Sequence, residues 1–124
     1  MLKPSEGEEG LKDFVLETVY KASANACPPM VIGIGAGGTM EKAAVLAKKA
    51  LTLPLDYVNE QKHIAALKKE LLEKINMLGI GPAGYGGVIT ALGINILFYP
   101  THIAGLPVAV NISCHATRHK EAII

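Results

Sequence analysis

The apolar residues between positions 59 and 78 recur at the spacing of an α-helix, and this pattern constrains the fold more than any other feature. They fall three or four positions apart, at Ile64, Leu67, Leu71, Ile75 and Leu78. Such spacing puts them on one face of a helix, which must be buried against a neighbouring layer. Glu70 and Lys74 are in the favourable order for a charge pair on this helix. Gly79 predicts where the helix ends.

Two further helices are predicted upstream of this one. Ser5 and Glu8 have the spacing of a capping box, so a helix should begin there and end near Ala24. Thr39 has the side chain of an N-cap, and the alanines and leucines after it predict a second helix that continues to about Leu51.

Three short segments are rich in β-branched and other apolar residues. The first is Met30-Val31-Ile32, bounded by proline and glycine, and the others run from Val88 to Tyr99 and from Pro107 to Ser113. We expect the last two to form a strand pair joined by a tight, partly buried turn. The predicted fold class is therefore α/β, a mixed sheet with packed helices in the order helix, strand, helix, helix, strand, strand.

Composition and charge limit the classes of protein to which the chain can belong. The chain has 124 residues, the size of a single domain over 1–124, and half of them are hydrophobic without any tryptophan, so the core should be aliphatic. The 12 basic and 11 acidic residues give a net charge of +1 and no basic stripe, which argues against nucleic acid as a partner. No secretory pattern and no apolar run of about 20 residues occurs, so we predict a cytoplasmic chain with no membrane segment.

The glycine-rich segments are candidate ligand loops. Gly33, Gly35 and Gly38 match the spacing of a dinucleotide-binding loop, with Asp56 near the position of a ribose-binding acid. The signal is weak, because Asp56 follows a proline in a predicted loop and does not end a second parallel strand. We nevertheless expect residues 33–39 to be a loop that favours an anion near the next helix, and 80–87 to be a second ligand-approaching loop.

The two cysteines and one histidine are the candidate chemical groups. Cys27 precedes two prolines at a helix-to-strand turn, and Cys114 ends the last predicted strand. They could form a disulfide, be buried apolar thiols or remain reduced as metal ligands, and two cysteines alone cannot complete a zinc site. His102 lies in an apolar turn, which suits a hydrogen-bond donor to a carboxylate, although a lone histidine in such a turn is usually structural.

Several stretches together resemble a known family. They are Leu2-Lys3-Pro4, Ala26-Cys27-Pro28-Pro29, residues 33–39, Ala47-Lys48-Lys49-Ala50-Leu51, Leu78-Gly79-Ile80-Gly81-Pro82, Tyr99 to Asn111, Cys114-His115-Ala116 and Arg118-His119. This combination is similar to the later part of the cluster-binding α subunit of the iron–sulfur hydro-lyases, the class I fumarases and L-tartrate dehydratases. The resemblance covers nearly the whole chain.

The resemblance implies a function and a set of site residues. Cys27 and Cys114 match two of the three cysteines that hold a [4Fe-4S] cluster, and His102 and Thr101 match substrate-binding positions. The implied reaction adds or removes water on a C4 dicarboxylate, either fumarate/malate or tartrate/oxaloacetate. The third cysteine, the rest of the α subunit and the β subunit lie outside this chain, so we expect it to be inactive by itself.

Three geometric expectations follow from that reading. The thiols of Cys27 and Cys114 should face one cavity, and His102 should lie at the mouth of the same cavity with both glycine segments nearby. Apolar surface and an exposed edge strand should promote oligomerisation. The alternative from a different class is a non-catalytic anion-binding or partner-binding module derived from this family.

Overall fold

A computed structural model describes residues 1–117 and 119–124. Within these residues, three α-helices and three strands form in the predicted order, which confirms the α/β fold class. Their bounds are α1 Gly7–Ala22, β1 Met30–Gly37, α2 Met40–Ala50, α3 Lys62–Met77, β2 Ala91–Tyr99 and β3 Val108–Ser113. Among the described residues, no helix is both long enough and apolar enough to cross a membrane.

The three strands form one mixed sheet in the order β2-β1-β3. β1 is parallel to β2 and antiparallel to β3, so the expectation that the last two strands pair with each other was wrong. Their connection is too long for a tight hairpin and instead passes the end of β1, where the Gly37 amide donates to Pro107 and the Gly38 amide to Pro100. Residues 100–104 of this connection are exposed, whereas Gly105 and Leu106 are half-buried, so the predicted partly buried turn is confirmed only in its last two residues.

Alternate residues of β1 face opposite layers of helices. Ile32 and Ile34 are completely buried in a core that also contains the apolar stripes of α1 and α3. Gly33 and Gly35 point to the other face, towards α2. There a Cβ atom would collide with the carbonyl oxygen of Ala47 or of Ala43.

The predicted glycine loop was therefore wrong for residues 33–37, which belong to β1. These glycines allow α2 to pack directly against the strand backbone, which is a tertiary reason and not a ligand-binding one. The chain leaves the strand only at Gly38, whose φ is +70°. Thr39 then caps α2 as predicted, its hydroxyl accepting from the Lys42 amide at 3.4 Å.

The helices confirm the periodicity predictions with one change. In α3, Ile64, Leu67, Leu71 and Ile75 are buried and Glu70 pairs with Lys74 at 2.8 Å. The predicted Ser5 capping box was wrong, because a 3₁₀ turn over Pro4–Glu6 precedes α1 and the Glu6 carboxylate instead accepts from the Lys3 amide. Pro4 starts this turn, since proline suits a first helical position.

The segment between α3 and β2 is irregular, as predicted for residues 80–87. Within it a short 3₁₀ turn, Pro82–Gly84, packs against Ala24. The strand begins at Ala91 and not at Val88, because the Asn76 side chain accepts from the backbone amides of Thr90 and Ala91 at 2.8 and 3.0 Å and fixes the entry into β2.

Candidate functional site

The sheet register brings the two cysteines to the same end of the sheet. Val31, near the start of β1, pairs with Ser113, the last residue of β3. Cys27 lies just before β1 and Cys114 directly follows β3, so antiparallel pairing places both residues at this end. They line one cleft of about 380 Å³, as the sequence led us to expect. No disulfide joins them.

The local chain path explains why these thiols are accessible. α1 ends at Ala22, and a 3₁₀ turn over Ser23–Asn25 carries the chain outward before it reaches Cys27, which is exposed. Cys114 is half-buried at the end of an edge strand. The rest of the cleft is formed by Ala22, Asn25, Ala26, Ile112 and Ser113. Its walls are therefore largely uncharged.

Two more clefts meet near Cys114 on the α2 side of the sheet. One, of about 630 Å³, has apolar walls that include Leu51, Leu53 and Leu92 and a polar border that includes Cys114 and Lys120. The other, of about 390 Å³, is lined by Lys48, Leu51, Thr52, Asn111, Ile112, Ser113 and His119. Cys114 therefore lies where clefts from both faces of the sheet come together.

The donor set of the cysteine end fits an incomplete metal–sulfur site. Two thiols from distant parts of the chain line one cleft, and thiolates are the side chains that hold iron–sulfur clusters. Within residues 1–117 and 119–124, no group of three or more His, Cys, Asp or Glu side chains is arranged to hold a metal ion. The described residues can therefore supply part of a cluster's ligands. Arg118, which belongs to the stretch resembling the family, lies outside the described residues.

Thr101 and His102 lie at the opposite end of the sheet. The Thr101 hydroxyl is 3.1 Å from the Gly38 carbonyl oxygen and 3.0 Å from that of Gly105, just beyond the end of β1. The six residues of β3 separate this end from Cys114, a distance of about 17 Å at about 3.3 Å per residue. The expectation that His102 borders the cysteine cleft was therefore wrong within one chain, because an extended strand separates them.

His102 nevertheless has the geometry of an available donor. Its Nδ1 accepts from the Ala104 amide at 3.0 Å, so the neutral ring carries its proton on Nε2. The side chain is exposed. Nearby, the Lys42 ammonium lies 4.7 Å from the centre of the Tyr99 ring, a cation–π contact that holds a positive charge at the same sheet end.

The dinucleotide reading has no support in the geometry. Gly33 and Gly35 are strand residues covered by α2. Asp56 lies in an exposed turn of the segment between α2 and α3. That segment is held to the edge of the sheet by Lys68, whose ammonium donates to Leu55 and Tyr57 carbonyls and to Asn95 Oδ1. Burial lowers the pKa of Lys68, and the nearby Asp56 carboxylate partly opposes that effect.

One polar contact near Cys114 has no counterpart in the sequence reasoning. Lys48 Nζ donates to Asn111 Oδ1 at 3.4 Å, joining the last turn of α2 to β3. The sequence predicted only that Lys48 belongs to the second helix, and it gave this residue no role. The two residues are 63 positions apart, so local spacing carries no signal of their contact.

A family model and individual known proteins that are similar to this chain point to the same family. A family model described as fumarate hydratase (Fumerase) matches residues 1–123. The chain is 55% identical over 118 residues to the putative L(+)-tartrate dehydratase subunit alpha of Methanocaldococcus jannaschii, covering 95% of this chain and 41% of that protein. It is 37% identical over 124 residues to the L(+)-tartrate dehydratase subunit alpha of Escherichia coli K12, covering 100% of this chain and 41% of that protein. The chain thus spans about two-fifths of the length of these relatives.

Proposed function

This chain belongs to the fumarate hydratase family, and from that membership we propose that it forms part of a hydro-lyase acting on a C4 dicarboxylate. The names of its relatives favour tartrate as substrate, with oxaloacetate as product, and the family name favours fumarate and malate. Both pairs contain two carboxylates on a four-carbon chain, and the reaction adds or removes water between the central carbons. The observation that carries the proposal is the cleft shared by Cys27 and Cys114.

In this proposal, Cys27 and Cys114 supply two of the thiolates that hold a [4Fe-4S] cluster, and a third comes from outside this chain. Such a cluster, when bound, supplies an iron that acts as a Lewis acid towards the substrate hydroxyl. The chain's own contribution is to bring two thiolates to one point through the pairing of β1 with β3. None of the described residues that line the cleft places a charged side chain beside them.

His102 and Thr101 are proposed to contact a substrate carboxylate. His102 Nε2 would donate to a carboxylate oxygen, while the backbone amide of Ala104 keeps the ring in that tautomer. Because the length of β3 separates this end from the thiols, one substrate molecule cannot reach both within a single chain. We therefore propose that a partner chain completes the site around His102.

The proposed partners are the remaining part of an α subunit and a further subunit, since the relatives are named subunit alpha and are more than twice as long. We also propose that the chain functions in an oligomer. Large apolar side chains are exposed at Met77, Tyr85 and Val88, on and beside the loop that precedes β2, and exposed apolar groups of this size are typical of interfaces.

Reconstitution under anaerobic conditions tests the function. The chain is combined with candidate partner chains, and iron, sulfide and the turnover of both L-tartrate and fumarate are measured. We expect a cluster and one of the two activities only in the combined sample. If the combined sample binds no cluster and turns over neither substrate, the alternative is favoured, a non-catalytic anion-binding or partner-binding module. That alternative also agrees with the incomplete set of metal ligands in the described residues.

A further inference from the structure

Among the residues that the structure describes, none places an opposite charge beside the Lys48 ammonium. Its side chain extends from the last turn of α2 and donates only a long hydrogen bond to Asn111 Oδ1. In the described part of the chain, no carboxylate forms an ion pair with it. All three lysines of α2 are exposed, but Lys42 lies over the Tyr99 ring, and Lys49 does not line the cleft that Lys48 lines.

Asn111 adds an unused donor at the same point. Its Nδ2 is enclosed, yet none of the described residues accepts a hydrogen bond from it. An enclosed amide group without an acceptor is unfavourable, and such groups commonly mark a place where a partner is missing. The assignment of the two amide atoms is consistent, since Oδ1 is the atom that faces the Lys48 ammonium.

Both groups line the cleft of about 390 Å³ described above. Thr52 adds a hydroxyl, His119 adds an imidazole, and none of the described residues that line the cleft is acidic. Ser113, another lining residue, is directly followed by Cys114. The cleft is thus rich in donors, carries a positive charge and adjoins one of the two cysteines.

We propose that this cleft binds one carboxylate of a small dicarboxylate. The Lys48 ammonium, held at the cleft by Asn111 Oδ1, provides the opposite charge, and Asn111 Nδ2, which has no acceptor among the described residues, provides a second donor. Asn111 is thus also a positioning residue for Lys48. The inference rests on the proposed function and deepens it: His102 lies too far from the thiols to hold the substrate beside Cys114, whereas this cleft is directly adjacent.

The test is a titration of the isotopically labelled full chain, followed by NMR, with succinate as the probe. Succinate has both carboxylates but no hydroxyl to lose, so binding requires neither a cluster nor turnover. We expect a saturable shift of the Asn111 side-chain amide and of the Thr52 backbone amide. Succinamide, which has the same length without charge, should produce no such shift. The absence of a saturable succinate shift, or an equal response to succinamide, would overturn the proposal.

Variants make the assignment specific to residues. Lys48→Met should weaken succinate binding about tenfold or more, since a charge-assisted hydrogen bond is lost. Lys49→Met removes the same charge from the neighbouring position and should stay within about twofold of the parent chain. If the two variants weaken succinate binding equally, the binding is a general attraction by positive charge, and the proposed site is wrong.

The variant Asn111→Leu distinguishes an effect on succinate binding from an effect on the stability of the fold. This variant removes the enclosed unpaired amide, so it should be at least as stable as the parent chain to heat while binding succinate more weakly. Unchanged succinate binding in Asn111→Leu would remove Asn111 from the proposal. Because none of these measurements involves iron or catalysis, their failure is distinguishable from failure of the proposed hydro-lyase function.

Discussion

Gly33 of β1 lies so close to the Ala47 carbonyl oxygen of α2 that no side chain fits between the strand and the helix. The same close approach recurs one turn earlier, between Gly35 and Ala43. These contacts set the distance of α2 from the sheet. They thereby position Lys48, which directly follows Ala47, above β3.

Gly33→Ala should lower the free energy of unfolding by about 3 kcal/mol or more, because the added methyl group collides with backbone that cannot move independently. The matched control is Gly93→Ala on the neighbouring strand β2. There the new Cβ would lie 2.9 Å from Leu55 Cδ2, the far end of an exposed side chain that has room to move away, so the loss should be about 1 kcal/mol. Urea denaturation of both variants measures the difference, and equal losses would contradict the packing argument.

The stability of the chain is sensitive to acid through the carboxylates that pair with Lys12. The Lys12 ammonium, almost completely buried, pairs with Glu8, Glu9 and Glu70 within 2.9 Å, and these hydrogen bonds raise its pKa. The pKa of Glu70 is lowered from its ordinary value of 4.5 by hydrogen bonds from Lys74 and Lys12. The ion pairs of Glu70 therefore stabilise the fold above pH 4.5 and are lost as the pH falls through the lowered value.

Glu70→Gln should consequently flatten the decrease in melting temperature between about pH 5 and pH 3. Glu17→Gln is the control, since Glu17 pairs with Lys21 at 2.6 Å on the exposed side of α1 and should have little effect. Stability contributed by Lys12 is present below its ordinary pKa of 10.5 and is lost only as the pH rises through the raised value. A steep acid transition that persists in Glu70→Gln would show that other carboxylates dominate it.

Cys27→Ser and Cys114→Ser should each abolish retention of a cluster in the reconstituted enzyme, because a hydroxyl is a poor replacement for a thiolate ligand. Asn25→Ala changes the same cleft without removing a thiol and should retain iron and sulfide. Iron and sulfide analysis after anaerobic purification gives the answer. Full cluster content in either serine variant would exclude that cysteine as a ligand.

His102→Asn should reduce kcat/KM of the reconstituted enzyme by about tenfold to a hundredfold while the cluster content stays unchanged, as expected for loss of a hydrogen bond to a charged carboxylate. His63→Asn, on the exposed N-terminal turn of α3, is the matched control and should behave like the parent. A parallel loss of iron, or unchanged kinetics, would contradict the proposed contact with substrate.

The parts of the fold that were predictable are those with local causes. The stripe from Ile64 to Ile75 repeats every three or four residues, so α3 could be assigned from spacing alone. Gly33 and Gly35 were wrongly predicted to lie in a loop. Glycines are suited both to a ligand-binding loop and to a strand that a helix approaches closely, and only the position of α2 distinguishes these two structures. Pairing of β3 with β1 was missed for a similar reason, since nothing near Val108 indicates which strand lies beside it.

In the candidate site, too, only the features with local causes could be predicted from the sequence. The positions of Cys27 and Cys114 at the ends of elements were apparent in the sequence, and antiparallel pairing then accounts for the cleft that they share. The separation of His102 from them depends on how far β3 runs in an extended conformation. The contact between Lys48 and Asn111 depends on the approach of α2 to β3, which neither segment specifies by itself.

The strand order has a consequence for how the chain is made. β1 occupies the centre of the sheet, yet its partners are among the last elements to be synthesised: Met30 pairs with Ala91 and Val31 with Ser113. No sheet hydrogen bond can form on the ribosome until β2 has emerged, and contacts so distant in sequence slow the folding of a chain. The apolar β1 therefore remains unpaired through much of translation, which is a period of vulnerability to aggregation. Cys114 directly follows β3, so a group that bridges Cys27 and Cys114 can be inserted only after β3 has been synthesised.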